Sequence, residues 1–302
     1  MIIFLRDFLS KILNQVLSTL IEEAKINDRR ASEWYQSLAG TWKFFHVDKP
    51  ADRLTNFMQD NFDAAKFDDI QVPGCWQLFG YDHTIYTNVT YPWSGTDRIS
   101  APWAPTNFNP VGHYRREFTV SDKWDGKRIR LHFEGVESAF YVWINGKYVG
   151  YSENTFTDHE FDITDKLRSG KNNISVQVFR WCDGSWMEDQ DFIRLAGIYR
   201  DVYLYATPKT HIQDFQINAT TDDYYKDGVL NASVWVDNFT ENEVSGHSVD
   251  VMLFDKEGKE VGSVLSQKVP AIKANGGEQQ LTFNSTLSGA KLWSGEHPYL
   301  YR

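Results

Sequence analysis

Acidic and aromatic residues are concentrated in the segment DGSWMEDQDFIRLAGIYRDV, residues 183–202. Its acidic side chains before Arg194 are Asp183, Glu188, Asp189 and Asp191. Aromatic rings pack well on the pleated surface of a strand and also stack on the C–H faces of sugars, so this content suits either a sheet or a sugar site. A charge run is also typical of a solvated loop, and an Asp191–Arg194 ion pair would account for part of it. Trp181 and Trp186, beside these acids, are expected to be core or interface aromatics rather than sugar platforms, and Cys182 is expected to be buried.

The composition excludes several classes of partner. The formal net charge is −10, and no basic stripe occurs, so nucleic acid is not expected as a ligand. Cys75 and Cys182 are the only cysteines and lack zinc-ligand spacing, which favours a reducing compartment and a cytoplasmic location. No phosphate-binding loop, nucleophile elbow or HExxH helix is present.

The N-terminal extension, residues 1–37, has its own pattern. Apolar residues recur there at steps of three and four from Leu5 to Ile21, which predicts an amphipathic helix. Charges at Arg6, Asp7 and Lys11 interrupt the apolar run before it reaches the length of a signal-peptide core or a membrane span. The helix is therefore expected to pack on protein, and no membrane is expected as a partner.

Short alternating segments follow and predict β-strands. They are Gly40–Val47, Tyr114–Val120, Arg128–Val136, Ala139–Ser152 and Asn173–Trp181. In the fourth, Asn145-Gly146 lies between aromatic halves and predicts a two-residue hairpin turn. In a further turn, Asp165 is a candidate cap and Gly170 a candidate end.

The chain from residue 208 also alternates, but its composition is more polar. Seven or so short strands, with Gly258 at a hairpin tip, favour an immunoglobulin-like sandwich. Thr207–Pro208 is the expected boundary. The predicted fold is therefore all-β: an amphipathic N-terminal helix in 1–37, a jelly-roll β-sandwich of the galactose-binding type in 38–206, and an immunoglobulin-like β-sandwich in 208–302.

Five motifs together resemble the amino-terminal portion of the β-galactosidases of glycoside hydrolase family 2. They are VPGCWQLFGYDHTIYTNVTYP (72–92), PTNFNPVGHYRREF (105–118), EGVESAFYVWINGKYVGYS (134–152), RWCDGSWMEDQDFIRLAGIYRDV (180–202) and KLWSGEHPYLYR (291–302). The resemblance implies a retaining glycosidase that hydrolyses terminal β-D-galactose residues, such as that of lactose. It also implies that both catalytic glutamates lie in a (β/α)₈ barrel outside these 302 residues. This chain alone is then expected to be inactive, with its last immunoglobulin-like strand missing.

The resemblance also assigns site residues. Asp191 would contact galactose and help ligate a sodium ion, and Asn88, in YTNVTYP, would approach the substrate from a loop. Magnesium is expected only in the barrel. The chain departs from the family pattern at Ile193, where tryptophan is usual. Asn88 also has a purely structural interpretation as a turn residue, since asparagine readily stabilises local turns.

Other functions remain open at this point. A retaining glycosidase needs two carboxyl groups about 5–5.5 Å apart, and the sequence marks no such pair here. The alternatives are a free-standing carbohydrate-binding module, a β-glucuronidase-type member of the same family, and a structural fragment that forms oligomer interfaces. The expected partners are a β-galactoside, the barrel and a possible second copy of the chain.

Overall fold

The computed structural model describes residues 28–188 and 191–302. Within these ranges the protein is all-β, and its helical elements are short 3-10 turns. The chain divides into two compact units between Ala206 and Thr207. The predicted N-terminal amphipathic helix lies outside the described residues. No helix within the described ranges has the length and apolar character needed to cross a bilayer.

The first unit contains two sheets and two short ribbons. Its strands are β1 (Tyr35–Ser37), β2 (Gly40–Val47), β3 (Asp68–Val72), β4 (Ile85–Thr87), β5 (Val111–Thr119), β6 (Arg128–Phe133), β7 (Val136–Glu137), β8 (Ala139–Ile144), β9 (Lys147–Ser152), β10 (His159–Asp162), β11 (Lys171–Phe179), β12 (Phe192–Arg194), β13 (Gly197–Ile198) and β14 (Val202–Thr207). One sheet has the order β1-β14-β6-β10 and the other β3-β2-β5-β11-β8-β9. The ribbons are β12-β4 and β13-β7.

The core of this unit lies between the two sheets, because alternate residues of each strand are apolar. On the six-stranded side, Phe140, Val142 and Ile144 of β8 are fully buried. On the four-stranded side, Leu131 and Phe133 of β6 are fully buried in the same cluster. In β8 the alternation that predicted the strand therefore also identifies its buried face, whereas β6 is buried on both faces.

The turn predictions had mixed outcomes. Asn145 and Gly146 have φ values of 52° and 77°, as the predicted β8–β9 hairpin requires. The prediction that Asp165 caps the next turn is wrong. Asp165 lies inside the 3-10 turn Thr164–Lys166, and the Asp162 carboxylate accepts from the Thr164 amide at 3.1 Å instead. Asp162 has this role because it precedes the turn, where a side-chain oxygen can reach an unpaired N–H.

The second unit has five described strands, rather than seven or so. They are β15 (Thr210–Thr221), β16 (Gly228–Asn238), β17 (Ser248–Phe254), β18 (Glu260–Lys268) and β19 (Gly277–Leu287). The number is lower because β15, β16 and β19 are long. Sheets β15-β16-β19 and β17-β18 enclose a core that includes Val234, Val249 and Phe283.

The end of β17 already has a partner on its far edge. The Phe254 amide donates to the Arg302 carbonyl at 2.6 Å, and the Arg302 amide donates back at 2.7 Å. This reciprocal pair is the hydrogen-bonded pair of an antiparallel ladder. The expectation that a further strand completes this sandwich stays a prediction.

Candidate functional site

The β4–β12 ribbon brings the two predicted sugar-binding residues together. Its antiparallel register pairs Thr87 with Phe192, and extending the register by one residue places Asn88 opposite Asp191. Both residues are exposed. Directly opposed residues in an antiparallel pair lie about 4.5–5.5 Å apart, so this extension would place an amide and a carboxylate side by side at one end of the ribbon.

Tyr86 is a third polar residue on the ribbon. The Asp191 carboxylate raises the pKa of Tyr86, because it acts on the Tyr86 hydroxyl both as a hydrogen-bond acceptor and as a negative charge. Tyr86 pairs across the ribbon with Ile193, and both side chains are exposed. The residue pattern of the sequence did not single out Tyr86, because its link to Asp191 depends on the ribbon.

The loop that carries Asp191 is fixed on its N-terminal side by Glu188. The Glu188 carboxylate accepts from the Thr155 amide at 2.6 Å and from the Thr155 hydroxyl at 2.7 Å. Arg194 Nη1 donates to the Glu188 carbonyl at 2.7 Å and so closes the loop across its base. Glu188 is thus a structural anchor, and Asp183 is an exposed loop acid. Asp189 lies outside the described residues.

The C-terminal side of the loop is fixed by backbone contacts. The Ala196 amide donates to Gln77 Oε1 at 3.0 Å, and the Trp76 amide donates to the Ala196 carbonyl at 3.0 Å. The next residue, Gly197, has a φ of 130°, where a side chain would meet the Gly74 carbonyl at 2.8 Å. Only glycine suits this conformation and this close approach.

A buried ion pair lies beneath the ribbon. Arg180 Nη1 donates to the Asp82 carboxylate, and the two side chains are 0% and 1% exposed. Arg180 Nη2 also donates to the carbonyl of Arg194 at 3.1 Å, which connects the pair to β12. Asp82 accepts further bonds from Trp76 Nε1 and Gln77 Nε2. Sequence reasoning missed this pair, since its partners lie far apart along the chain.

Glu137 is a second carboxyl group beneath the site. Burial raises its pKa to about 8, against the attraction of the Arg180 and Arg194 guanidinium groups. Glu137 pairs with Gly197 through β7 and β13, so it lies next to the end of the Asp191 loop. Its position there is structural, because it is largely shielded from solvent.

The tryptophans beside the acidic segment belong to an aromatic cluster. The Trp93 ring lies 5.2 Å from Tyr91, 5.6 Å from Trp181 and 5.0 Å from Trp186. Trp93 and Trp181 are buried, and Trp186 Nε1 donates to the Trp103 carbonyl at 2.9 Å. Trp181 is therefore a core aromatic, as predicted, whereas Trp186 is half-buried and packs at the edge of the cluster against Tyr91 and Trp93.

Cys182 lies near Glu153 and Asp183, and one potential ligand atom of each lies within 4.8 Å of the others. Burial raises the pKa of the Cys182 thiol, which disfavours the thiolate that binds metals. Glu153 accepts a hydrogen bond from the Tyr151 hydroxyl at 2.7 Å. Both cysteines are free, and Cys182 is buried as predicted.

Among the described residues, the exposed end of the ribbon offers groups suited to sugar binding but no catalytic carboxyl pair. Asn88 offers an amide donor and acceptor, while Asp191 and Tyr86 offer oxygen atoms, a set that matches sugar hydroxyls. All-oxygen donors also suit a hard cation such as sodium. Asp191 is the one acid of the Asn88–Tyr86–Asp191 group, and a retaining glycosidase needs two carboxyl groups.

The sequence matches known families along nearly all of its described length. Residues 35–208 match the family model described as glycosyl hydrolases family 2, sugar binding domain. Residues 210–302 match a second model, described as glycosyl hydrolases family 2. The two matches lie on either side of residue 209.

Curated relatives include several β-galactosidases. The protein is 45% identical to the β-galactosidase of Priestia megaterium over 281 residues, which are 93% of this chain and 27% of that protein. It is 42% identical to the β-galactosidase of Clostridium acetobutylicum, over 93% of this chain and 30% of that protein. The β-galactosidase large subunit of Leuconostoc lactis is 36% identical, and the match covers 44% of it. The chain therefore spans less than half the length of these relatives.

A solved structure shows the same fold at lower sequence identity. The β-glucuronidase of Bacteroides uniformis superposes with a TM-score of 0.70 at 22% identity, over 88% of this chain and 29% of that one. With two family models and relatives above 30% identity in agreement, the chain belongs to glycosyl hydrolase family 2.

Proposed function

We propose that this chain is the non-catalytic, substrate-positioning part of a retaining β-galactosidase that hydrolyses terminal, non-reducing β-D-galactose residues. The observation that carries the proposal is the pairing of β4 with β12, which brings Asn88 and Asp191 to one exposed end of the ribbon. Nothing in the local sequence requires these two residues to meet. The β-galactosidase relatives, with identities up to 45%, favour galactosides as the substrate class.

The two units have different parts in this proposal. The first is a jelly-roll sandwich that carries the sugar contacts, and the second is an immunoglobulin-like spacer. Catalysis would come from a (β/α)₈ barrel that contributes the acid/base residue and the nucleophile. The partners are a β-galactoside such as lactose, that barrel and a second copy of the enzyme. The enzyme would act in the cytoplasm. The two free cysteines are compatible with a reducing compartment.

Asp191 would also help to hold a sodium ion. Its carboxylate, the Asn88 amide oxygen and the Tyr86 hydroxyl are hard oxygen donors on one ribbon. A bound sodium ion would supply a fixed positive charge that orients sugar hydroxyls. Asp191 would then orient the substrate, while Asn88 forms neutral hydrogen bonds to it.

The experiment joins residues 1–302 to the catalytic part of the Priestia megaterium relative and measures galactoside hydrolysis. Asp191→Ala should lower kcat/KM by roughly 10- to 150-fold, because a charged hydrogen bond is lost. Asn88→Ala should lower it by roughly 2- to 12-fold, as expected for neutral bonds. The matched control is Asp183→Ala, an exposed acid of the same segment, which should leave kcat/KM unchanged.

Sodium dependence gives a second readout in the same chimera. Activation by sodium should be blunted in Asp191→Ala and retained in Asp183→Ala. If both Asp191→Ala and Asn88→Ala show unchanged kinetics and sodium response, these residues do not belong to the site and the positioning role is wrong.

The chain alone should be inactive towards galactosides and bind galactose with a Kd on the order of millimolar or weaker, because a few solvent-exposed hydrogen bonds barely offset the entropy of association. A chromogenic assay and calorimetry check both expectations. If the chain alone hydrolyses a galactoside, and substitution of one of its carboxylates abolishes that hydrolysis, the catalytic pair lies within the chain. Preference for glucuronide would favour the glucuronidase alternative, which the negative charge of Asp191 opposes.

A further inference from the structure

An aromatic surface covers one end of the six-stranded sheet, on the face opposite the core. We define the β8–β9 platform as Tyr141 and Trp143 of β8 with Tyr148 and Tyr151 of β9. The Tyr141 ring centroid lies 4.7 Å from Tyr151 and 6.5 Å from Tyr148, and Trp143 lies 6.0 Å from both Tyr141 and Tyr148. The four rings therefore form one continuous group.

The register explains why these rings share a face. Tyr141 pairs with Tyr151, and a β-bulge brings Trp143 opposite Tyr148. The intervening Val142 is fully buried in the core. Tyr148 is 53% exposed and Tyr151 39% exposed, so half of the platform faces solvent.

The platform is held in place before any ligand binds. The Phe57 ring, itself fully buried, meets the Trp143 ring edge-on at 5.8 Å. Phe179 of β11 packs edge-on against Tyr141 at 6.0 Å. Rings that are already fixed lose little conformational entropy on binding, so even a small contact surface can bind a ligand.

The rim of the platform is polar. The Tyr151 hydroxyl donates to the Glu153 carboxylate at 2.7 Å, so an acceptor for further hydrogen bonds lies at the ring edge. A negative rim on a chain of net charge −10 disfavours uronic or sulfated polymers. Flat rings with a hydrogen-bonding edge match a neutral pyranose, whose C–H face is apolar and whose rim carries hydroxyl groups.

We propose that the β8–β9 platform is a second glycan-binding site, which takes a neutral β-linked polysaccharide. It shares no residue with the Asn88–Asp191 ribbon, and it lies within residues 35–208, which match a sugar binding domain. Tyr148 and Tyr151 would stack on pyranose rings, and Glu153 would accept from a sugar hydroxyl. The site would keep the protein near polymeric substrate without taking part in hydrolysis.

The test is affinity gel electrophoresis of the full chain with β-1,4-galactan and, separately, with hydroxyethylcellulose. We expect retardation by at least one polymer. Tyr148→Ala should weaken the apparent affinity by roughly 2- to 12-fold, as expected for one aromatic contact. Tyr224→Ala is the matched control, because Tyr224 is 79% exposed in the second unit and should leave retardation unchanged.

Further variants separate this site from the proposed galactoside site. Asp191→Asn should leave polymer retardation unchanged, whereas Tyr148→Ala should leave monomeric galactose binding unchanged. Tyr151→Phe keeps the ring but loses the bond to Glu153, so it should retain most of the retardation. Equal urea midpoints of the variants would show that each still folds.

Absence of retardation by both polymers overturns the proposal. Retardation that Tyr148→Ala does not weaken overturns it as well. If neither polymer binds and Tyr148→Ala changes the mass of the protein in light scattering, the platform is a protein contact instead.

Discussion

Arg180→Met should destabilise the first unit strongly. Arg180 is fully buried and donates to Asp82, whose side chain is 1% exposed. Loss of the guanidinium leaves the buried Asp82 carboxylate with the weaker donors Trp76 Nε1 at 3.3 Å and Gln77 Nε2 at 3.2 Å, and with the exposed His83 imidazole, whose Nδ1 lies 3.2 Å away. Removing one partner of a buried pair costs about 3–5 kcal/mol, because the remaining charge is uncompensated.

A second substitution tests whether the unpaired charge of Asp82 causes this loss of stability. Asp82→Asn removes that charge and keeps a residue type that tolerates the φ of 57° at this position. The double variant should therefore lose less than the sum of the two single variants, by about 1–3 kcal/mol. The matched control is Lys171→Met, which breaks an ion pair with Glu117 that is 65% exposed on both sides. It should cost at most about 1 kcal/mol.

Urea unfolding followed by tryptophan fluorescence measures these effects, since most tryptophans lie in the first unit. Hydrogen exchange should also become faster in β12, because Arg180 bonds the Arg194 carbonyl. The reasoning is refuted if Arg180→Met costs no more than Lys171→Met, or if the single losses simply add in the double variant.

Three further outcomes follow from buried groups. The pKa of Glu137, raised to about 8 by burial, means that the folded state binds the extra proton, so this residue lowers stability as pH rises from about 4.5 to about 8. Glu137→Gln should reduce the loss of unfolding free energy between pH 5 and pH 9, measured in urea, by at most about 5 kcal/mol. An unchanged loss would show that Glu137 is not its cause. Burial raises the pKa of the Cys75 thiol to about 11, so iodoacetamide at pH 8 should alkylate it at least ~100-fold more slowly in the folded protein than in urea, and equal rates would contradict this. Gly197→Ala should cost about 1–3 kcal/mol in thermal unfolding, since its φ is 130° and a Cβ would lie 2.8 Å from the Gly74 carbonyl, whereas Gly170→Ala, with open space around it, should cost less; equal losses would refute the role of the close approach.

Local patterns predicted the local structure well. The alternation of β8 predicted a strand and its buried face, and Asn145-Gly146 predicted a turn with two positive φ values. The alternation of β11 predicted a strand, but that central strand is buried on both faces. These features depend on residues a few positions apart. The Asp165 cap failed because a cap depends on where the turn begins, and element boundaries are weakly encoded.

By itself the sequence determined the all-β character, the hairpin and the burial of Trp181 and Cys182, because side-chain size, alternation and backbone preference act over short distances. It also supplied the motifs that pointed to Asn88 and Asp191. Only the tertiary structure decided that β4 and β12 pair, which brings Asn88 and Asp191 to the same end of one ribbon, and that Arg180 neutralises Asp82 beneath it. Strand pairing joins segments that are remote in the chain. A buried charge is stable only where an opposite charge, here from a residue remote in the sequence, lies beside it.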